Sequence, residues 1–167
     1  PASQTFAQDS ECSNQIDFWY DGNTATLYFV NPTTHEFLGI AGEGVISFRP
    51  HGFSPDCRYI GATLIRRDTN TPVDCYGQFR TGRSGDITVW DATTGQVLGE
   101  YPDNHYARSS FSWNPFGSQV VFVTCEGAKL WDFLNNRILS LTSTLPAGSD
   151  LVVAWTENPA EVYGLIR

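Results

Sequence analysis

The sequence predicts an all-β chain, a β-propeller segment of about three to three and a half four-stranded antiparallel blades. Two repeated patterns and one compositional trend carry that prediction. The first pattern is a hairpin: DITVWDATTGQVLG (86–99) matches TLYFVNPTTHEFLG (26–39), 60 residues earlier, and GAKLWDFLNNRILS (127–140), 41 residues later. The second is FSPDCRYIGATL (53–64), matched by WNPFGSQVVFVT (113–124) after 60 residues and by WTENPAEVYGLI (155–166) after a further 42. The trend is that the 15 Gly and 9 Pro are spread along the chain, as turns are, and not gathered in a linker.

Each strand then follows from local signals. In one unit, strand a ends before a polar turn such as NPFG, and strand b is an apolar run such as QVVFVT. Strand c ends in Trp-Asp, and strand d is QVLGEY or RILSL. The chain reads as one domain, 1–167, with a first blade over about 4–40, its strands at 4–7, 16–20, 26–30 and 36–39. A second blade spans about 45–101, with strands at 45–49, 58–66, 86–90 and 96–101 and an insertion at 66–85. A third spans about 110–141, with strands at 110–113, 119–124, 128–131 and 137–141. A half blade follows at 151–166, with strands at 151–155 and 161–166. The run VVFV (120–123) is apolar on both faces and calls for burial on both sides, which stacked sheets provide.

These units resemble the WD-repeat family, whose repeat is about 40–45 residues. The resemblance covers roughly residues 15–166, and it rests on Trp90-Asp91 and Trp131-Asp132, which match the closing dipeptide, and on FSPDC (53–57), which is similar to the first turn. Cys57 stands where glycine is usual, Val30-Asn31 replaces the first Trp-Asp, and the Gly-His dipeptide is missing. The resemblance therefore implies a degenerate, irregular propeller whose structural repeat residues are Trp90, Asp91, Trp131 and Asp132. Both tryptophans are expected to fill space between blades.

Propellers close with about four to eight blades, and open blade edges expose unpaired backbone. The chain is thus expected to be a piece of something larger, either a fragment of a longer chain or a subunit whose edges pair with another copy. An unusual small closed form is the remaining alternative. The start at Pro1 and the absence of Met point to a processed or partial chain.

Topology also arranges the four cysteines. Cys12 and Cys57 both fall in turns between strands a and b, and Cys75 and Cys125 both fall between strands b and c. Pairs 12–57 and 75–125 are the expectation, with an oxidising, extracytoplasmic compartment. A 57–75 bridge is the rival pairing, and four reduced thiols in a cytosolic protein the alternative state. The insertion RRDTNTPVDCYGQFRTGRSG (66–85) carries Tyr76, Phe79, Arg80 and Arg83, an aromatic and arginine set typical of contact surfaces, and these are the candidate partner-binding residues.

Composition excludes several classes of function. The net charge is −8, with nine Arg and the single Lys129 against 18 acids, so phosphate neutralisation and nucleic acid binding are not expected. No apolar run approaches the roughly 20 residues needed to span a bilayer. The cysteines form no C-x-x-C, and DTNTPVD (68–74) lacks the calcium-loop pattern, so neither a metal nor a cofactor is expected. There is no G-x-S-x-G or H-E-x-x-H, and His35, His51 and His105 read as turn and surface residues, so no catalytic residue is assigned. The expected function is a non-catalytic scaffold for protein–protein interaction or assembly, its partner a protein or further copies of itself. The alternatives are the propeller part of a larger enzyme and a structural subunit of an extracellular assembly.

Overall fold

The computed structural model describes residues 12, 16–67, 83–103, 110–124, 127–142, 151–156, 158 and 161–166. Among them every regular element is a strand. The strands form four antiparallel sheets in chain order. The first is β1 (Asp17–Asp21), β2 (Thr26–Val30) and β3 (Phe37–Gly42). The second is β4 (Val45–Phe53), β5 (Tyr59–Arg67), β6 (Arg83–Asp91) and β7 (Val97–Asp103). The third is β8 (Phe111–Trp113), β9 (Gln119–Thr124), β10 (Gly127–Asp132) and β11 (Arg137–Ser140). The fourth has only β12 (Leu151–Trp155) and β13 (Val162–Ile166). Each sheet is a meander, so every strand hydrogen-bonds to its sequence neighbour. This is the blade topology, and the all-β propeller architecture read from the repeats is the one the chain adopts. The strand expected at 4–7 lies outside the described residues.

Alternation along each strand sends its two faces into different interfaces. Between the first and second sheets, Phe18, Leu27 and Phe29 meet Ile60, Ala62, Leu64 and Trp90. Between the second and third, Tyr59, Ile87 and Val89 meet Val120, Phe122, Trp131 and Phe133. The third packs on the half blade through Val121, Val123 and Ala128 against Val153. The VVFV run is therefore split residue by residue, Val120 and Phe122 to one side and Val121 and Val123 to the other. Its two-sided apolarity has that cause.

Trp90 and Trp131 are both fully buried. Trp90 sits edge-on to Phe18 and Phe29, at 5.6 and 5.5 Å between ring centroids, and so packs on the preceding blade. Trp131 likewise packs back on the second sheet, close over Gly99, where an added Cβ would come within 2.7 Å of the indole. Neither indole N–H has a hydrogen-bond partner. Both rings act by volume and shape, not through a polar network.

The aspartate of the repeat has a different task. Asp91 Oδ1 accepts hydrogen bonds from the backbone N–H groups of Thr93 and Thr94, at 2.9 and 2.8 Å, and so closes the turn from strand c to strand d. Asn31 Oδ1 does the same for Thr33 and Thr34, and Asp132 Oδ1 for Asn135. The replacement of Asp by Asn in the first copy is conservative because the turn needs only an acceptor oxygen at that point. The backbone bonds of Thr94 and Thr93 lower the pKa of the Asp91 carboxyl against a smaller opposing effect of burial. Further along the same turns, His35, Gly95 and Asn136 occupy equivalent positions with φ of 58°, 69° and 49°. His35 is thus a turn residue in the left-handed region, as Gly95 is.

The turn between strands a and b shows the same logic. Gly117 has φ of 80°, and Cys57, its equivalent, has φ of 59°. A cysteine there is strained by about 1–2 kcal/mol relative to glycine. It is also held, because Cys57 forms a disulfide with Cys12 across a sequence separation of 45 residues. The bridge ties the segment ahead of β1 to the second sheet. Cys75 and Cys125 lie outside the described residues. The β5–β6 ladder runs on to Arg67↔Arg83. It therefore takes in residues 66–67 and 83–85 of the segment that the sequence marks as an insertion, which leaves 68–82 outside the described residues.

His51, on β4, is part of the second interface. Its ring stacks on Phe111 at 4.0 Å with an interplanar angle of 6°, and Nε2 lies 2.7 Å from Thr63 Oγ1. Burial, and then the nearby Arg49 charge, lower its pKa to about 3. Below the ordinary imidazole value of about 6.5 the unfolded chain takes up a proton that the folded chain does not. Stability contributed by neutral His51 is thus complete above that value and lost as pH falls from 6.5 toward 3.

Four outcomes are expected from these contacts. In urea unfolding, Trp90→Ala lowers stability by about 3–5 kcal/mol, and Trp90→Phe costs clearly less because no indole hydrogen bond is lost. Replacing Cys12 and Cys57 by Ser lowers stability by about 2–4 kcal/mol. In that Cys12→Ser background, Cys57→Gly is more stable than Cys57→Ser by about 1 kcal/mol, which relief of the left-handed turn requires. Thermal melts at pH 7 and pH 4.5 give a smaller Tm loss for His51→Gln than for the natural chain, whose unfolding free energy falls by up to about 1.4 kcal/mol per pH unit through this one group.

Candidate functional site

A blade stack leaves two kinds of surface for function: the turns at its rims and the outward faces of its first and last sheets. Of the candidate partner-binding residues, Tyr76, Phe79 and Arg80 lie outside the described residues. Arg83 begins β6, paired with Arg67. Beside these two residues, Arg66 forms an ion pair with Asp86 and its Nε donates to the Glu43 carbonyl at 3.2 Å. This fixes the near end of the strand ladder from which the 68–82 segment departs.

The outward face of the first sheet carries a cluster that the repeat pattern does not single out. The register sets Trp19 opposite Tyr28, and Tyr28 opposite Ile40. All three therefore share the face away from the second sheet. A bulge between Phe29 and Val30 brings Phe37 onto the same side. Trp19 lies 5.7 Å from Tyr28 and 5.3 Å from Phe37, and Tyr28 lies 5.1 Å from Phe37, the two contacts of Phe37 being edge-to-face. Such geometry holds aromatic rings without further support. Yet Trp19 is 38% exposed, Phe37 58% and Ile40 55%. In the second sheet Ala62 and Thr88, the equivalents of Trp19 and Tyr28, are buried, and Trp90 stands in the place of Val30.

The electrostatics of this end are mild. Asp21 closes the β1–β2 turn by accepting from Asn23 N–H and Thr24 Oγ1, each at 2.9 Å, and these bonds lower its pKa. Among the described residues no three His, Cys, Asp or Glu side chains gather in a metal-binding group. In the fourth sheet Val152, Tyr163 and Leu165 are exposed, with Val152 and Leu165 opposite one another, while Val153 faces the third sheet.

No protein-family model matches the chain, and no curated protein matches it by sequence. Solved structures do match it in three dimensions. Hydrazine synthase of Kuenenia stuttgartiensis aligns with a TM-score of 0.54 at 10% identity, over 90% of this chain and 54% of that one. KlAtg21, in its complex with the coiled-coil of AgAtg16, aligns with a TM-score of 0.56 at 12% identity, over 90% and 46%. Acylaminoacyl peptidase of Pyrococcus horikoshii aligns with a TM-score of 0.52 at 15% identity, over 92% and 29%. The chain thus spans about half, or less, of the length of the proteins it resembles. At these identities the likeness is one of fold, and the fold is that of a β-propeller.

Proposed function

We propose that the chain is a non-catalytic propeller scaffold of WD-repeat type, acting through protein–protein interaction or assembly. One observation carries this reading: in the aromatic cluster of Trp19, Tyr28 and Phe37, with Ile40, the residues Trp19, Phe37 and Ile40 are exposed, whereas Ala62 and Thr88, which stand for Trp19 and Tyr28 in the next blade, are buried. Exposed apolar patches with large aromatic residues mark interaction sites more often than catalytic ones. A rigid stack of sheets holds such a face in one shape, so binding needs little ordering. The partner is a protein or further copies of the chain, and the bridge between Cys12 and Cys57 favours an oxidising, extracytoplasmic setting. Of the similar structures, KlAtg21 is in complex with a coiled-coil.

A second reading has a specific observation behind it. Two of the similar structures bear enzyme names, and the chain spans 54% of one and 29% of the other. On that reading the propeller is one part of a larger enzyme, with its chemistry elsewhere.

Immobilised chain, challenged with an extract of its source cells, is expected to retain a defined protein, and the Trp19→Ser/Phe37→Ser variant to lose it. Native mass spectrometry of the eluted complex tells a different protein from further copies of the chain. Equal retention by the folded double variant rejects the cluster as the contact, and turnover of a hydrolase substrate panel by the chain alone rejects the scaffold.

A further inference from the structure

The turns between strands a and b share one rim with the turns between strands c and d, since Trp113 pairs with Val120, and Asp132 with both Gln119 and Arg137. In the third sheet the a–b turn is NPFG (114–117). Asn114 closes it: its Oδ1 accepts from the Phe116 N–H at 2.9 Å, and its carbonyl from the Gly117 N–H at 2.8 Å. The backbone of Phe116 thus serves the turn, and its side chain does not. The ring makes no aromatic contact among the described residues and is 69% exposed, more than any other large apolar side chain among them.

At the same turn position the second sheet carries Asp56, 60 residues earlier, and the fourth carries Asn158, 42 residues later. Both are exposed. Asp56 is exposed although the complete four-stranded third sheet follows it. Exposure here is therefore a property of the rim and does not depend on how many sheets follow. Turn chemistry accounts for the polar residues at this position but not for a phenylalanine.

The carboxylate of Asp56 reaches across to the third sheet's turn. A Cβ added at Gly117 would come within 2.5 Å of Asp56 Oδ1 and 2.9 Å of Oδ2, so the acid lies against the residue next to Phe116. Oδ1 accepts from Ser54 Oγ at 2.6 Å and from the Arg58 N–H at 3.3 Å, while Oδ2 has no hydrogen-bond partner among the described residues. The Arg58 guanidinium lies over the Tyr59 ring, 5.3 Å from its centroid, and forms no ion pair with Asp56. In and beside the turns of this rim, the described acids Glu36, Asp56, Asp91, Asp132 and Glu161 outnumber Arg58 and Arg137.

We propose that Phe116 and Asp56 together receive the guanidinium of an arginine in a partner polypeptide, stacked on the ring and paired with the free carboxylate oxygen. A guanidinium has both the planar face that stacks on an aromatic ring and the donors that pair with a carboxylate. The chain makes the stacking half of this contact for itself at Arg58 and Tyr59. The acidic rim favours a basic segment around that arginine. The inference rests on the scaffold reading and deepens it, by naming a contact other than the Trp19 cluster and the chemistry of the partner there.

The probe is the pentapeptide GGRGG, titrated into the 167-residue chain and followed by its backbone amide shifts in NMR spectra. The same peptide with citrulline in place of arginine is the neutral isostere. The arginine peptide is expected to move the amides of Asp56, Phe116 and Gly117, and the citrulline peptide to bind at least about fivefold more weakly. Phe116→Asn and Asp56→Asn give each turn the residue that the fourth sheet carries there. Each is expected to weaken binding about two- to fivefold and to leave the rest of the spectrum unchanged. No shift at these amides, equal binding of the citrulline peptide, or undiminished binding by either variant overturns the proposal. So do shifts of equal size beside every exposed acid, since the acidic surface alone then holds the peptide. None of these outcomes depends on Trp19 or Phe37, so failure here is distinct from failure of the scaffold reading, which the retention experiment decides.

Discussion

Face-to-face packing of twisted sheets is the constraint on which the rest of this molecule depends. Each sheet has two apolar sides and cannot satisfy either alone, so a blade is stable only between neighbours. The alternation within single strands follows from this: Val120 and Phe122 serve one interface, Val121 and Val123 the next. The tryptophans of strand c set the spacing, since each reaches back onto the preceding blade and fixes how closely the two sheets approach. Turn chemistry is subordinate to that packing. Asn31, Asp91 and Asp132 bring strand d back beside strand c, so that the outermost strand lies over the interface.

Much of this order is legible in the sequence because the same physical need recurs at fixed intervals. A buried aromatic followed by a turn-closing acceptor is written as Trp90-Asp91 and Trp131-Asp132, and its loosened form as Val30-Asn31. A left-handed turn position is written as Gly95 and Gly117 and, less openly, as His35, Asn136 and Cys57. The strand ladder beyond Ile65 is harder to read, because Arg66, Arg67 and Arg83 carry no apolar alternation to mark them as strand. The exposed face of the first sheet is not legible at all. Trp19 and Tyr28 alternate with Phe18 and Phe29 like any two-sided strand, and period alone does not say which side lacks a neighbour. His51 is opaque for a related reason, since its burial depends on Phe111, which arrives from another blade.

The candidate surfaces sort by their distance from the repeat. The rims are made of turns in which Asn31, Asp91 and Asp132 are occupied in closing the turn. The exposed face of the first sheet carries Trp19 and Tyr28 at positions that the second sheet buries as Ala62 and Thr88. An arrangement of this kind places recognition in the same interactions that build the fold, so partner binding and blade packing draw on one set of contacts.

The disulfide gives the stack a direction. Sheets in a linear array are stabilised by nearest neighbours. At one end, the bridge between Cys12 and Cys57 fastens the chain ahead of β1 to the second sheet, so the first sheet stays tethered even when its packing gives way. At the other end, the two strands β12 and β13 are held by Val153, by Trp155 and by the bonds of Ser110 Oγ with Val153 N–H and C=O. The first sheet thus re-docks on the second as an intramolecular event within a short covalent loop, whereas the described contacts of β12 and β13 with the third sheet are packing and hydrogen bonds.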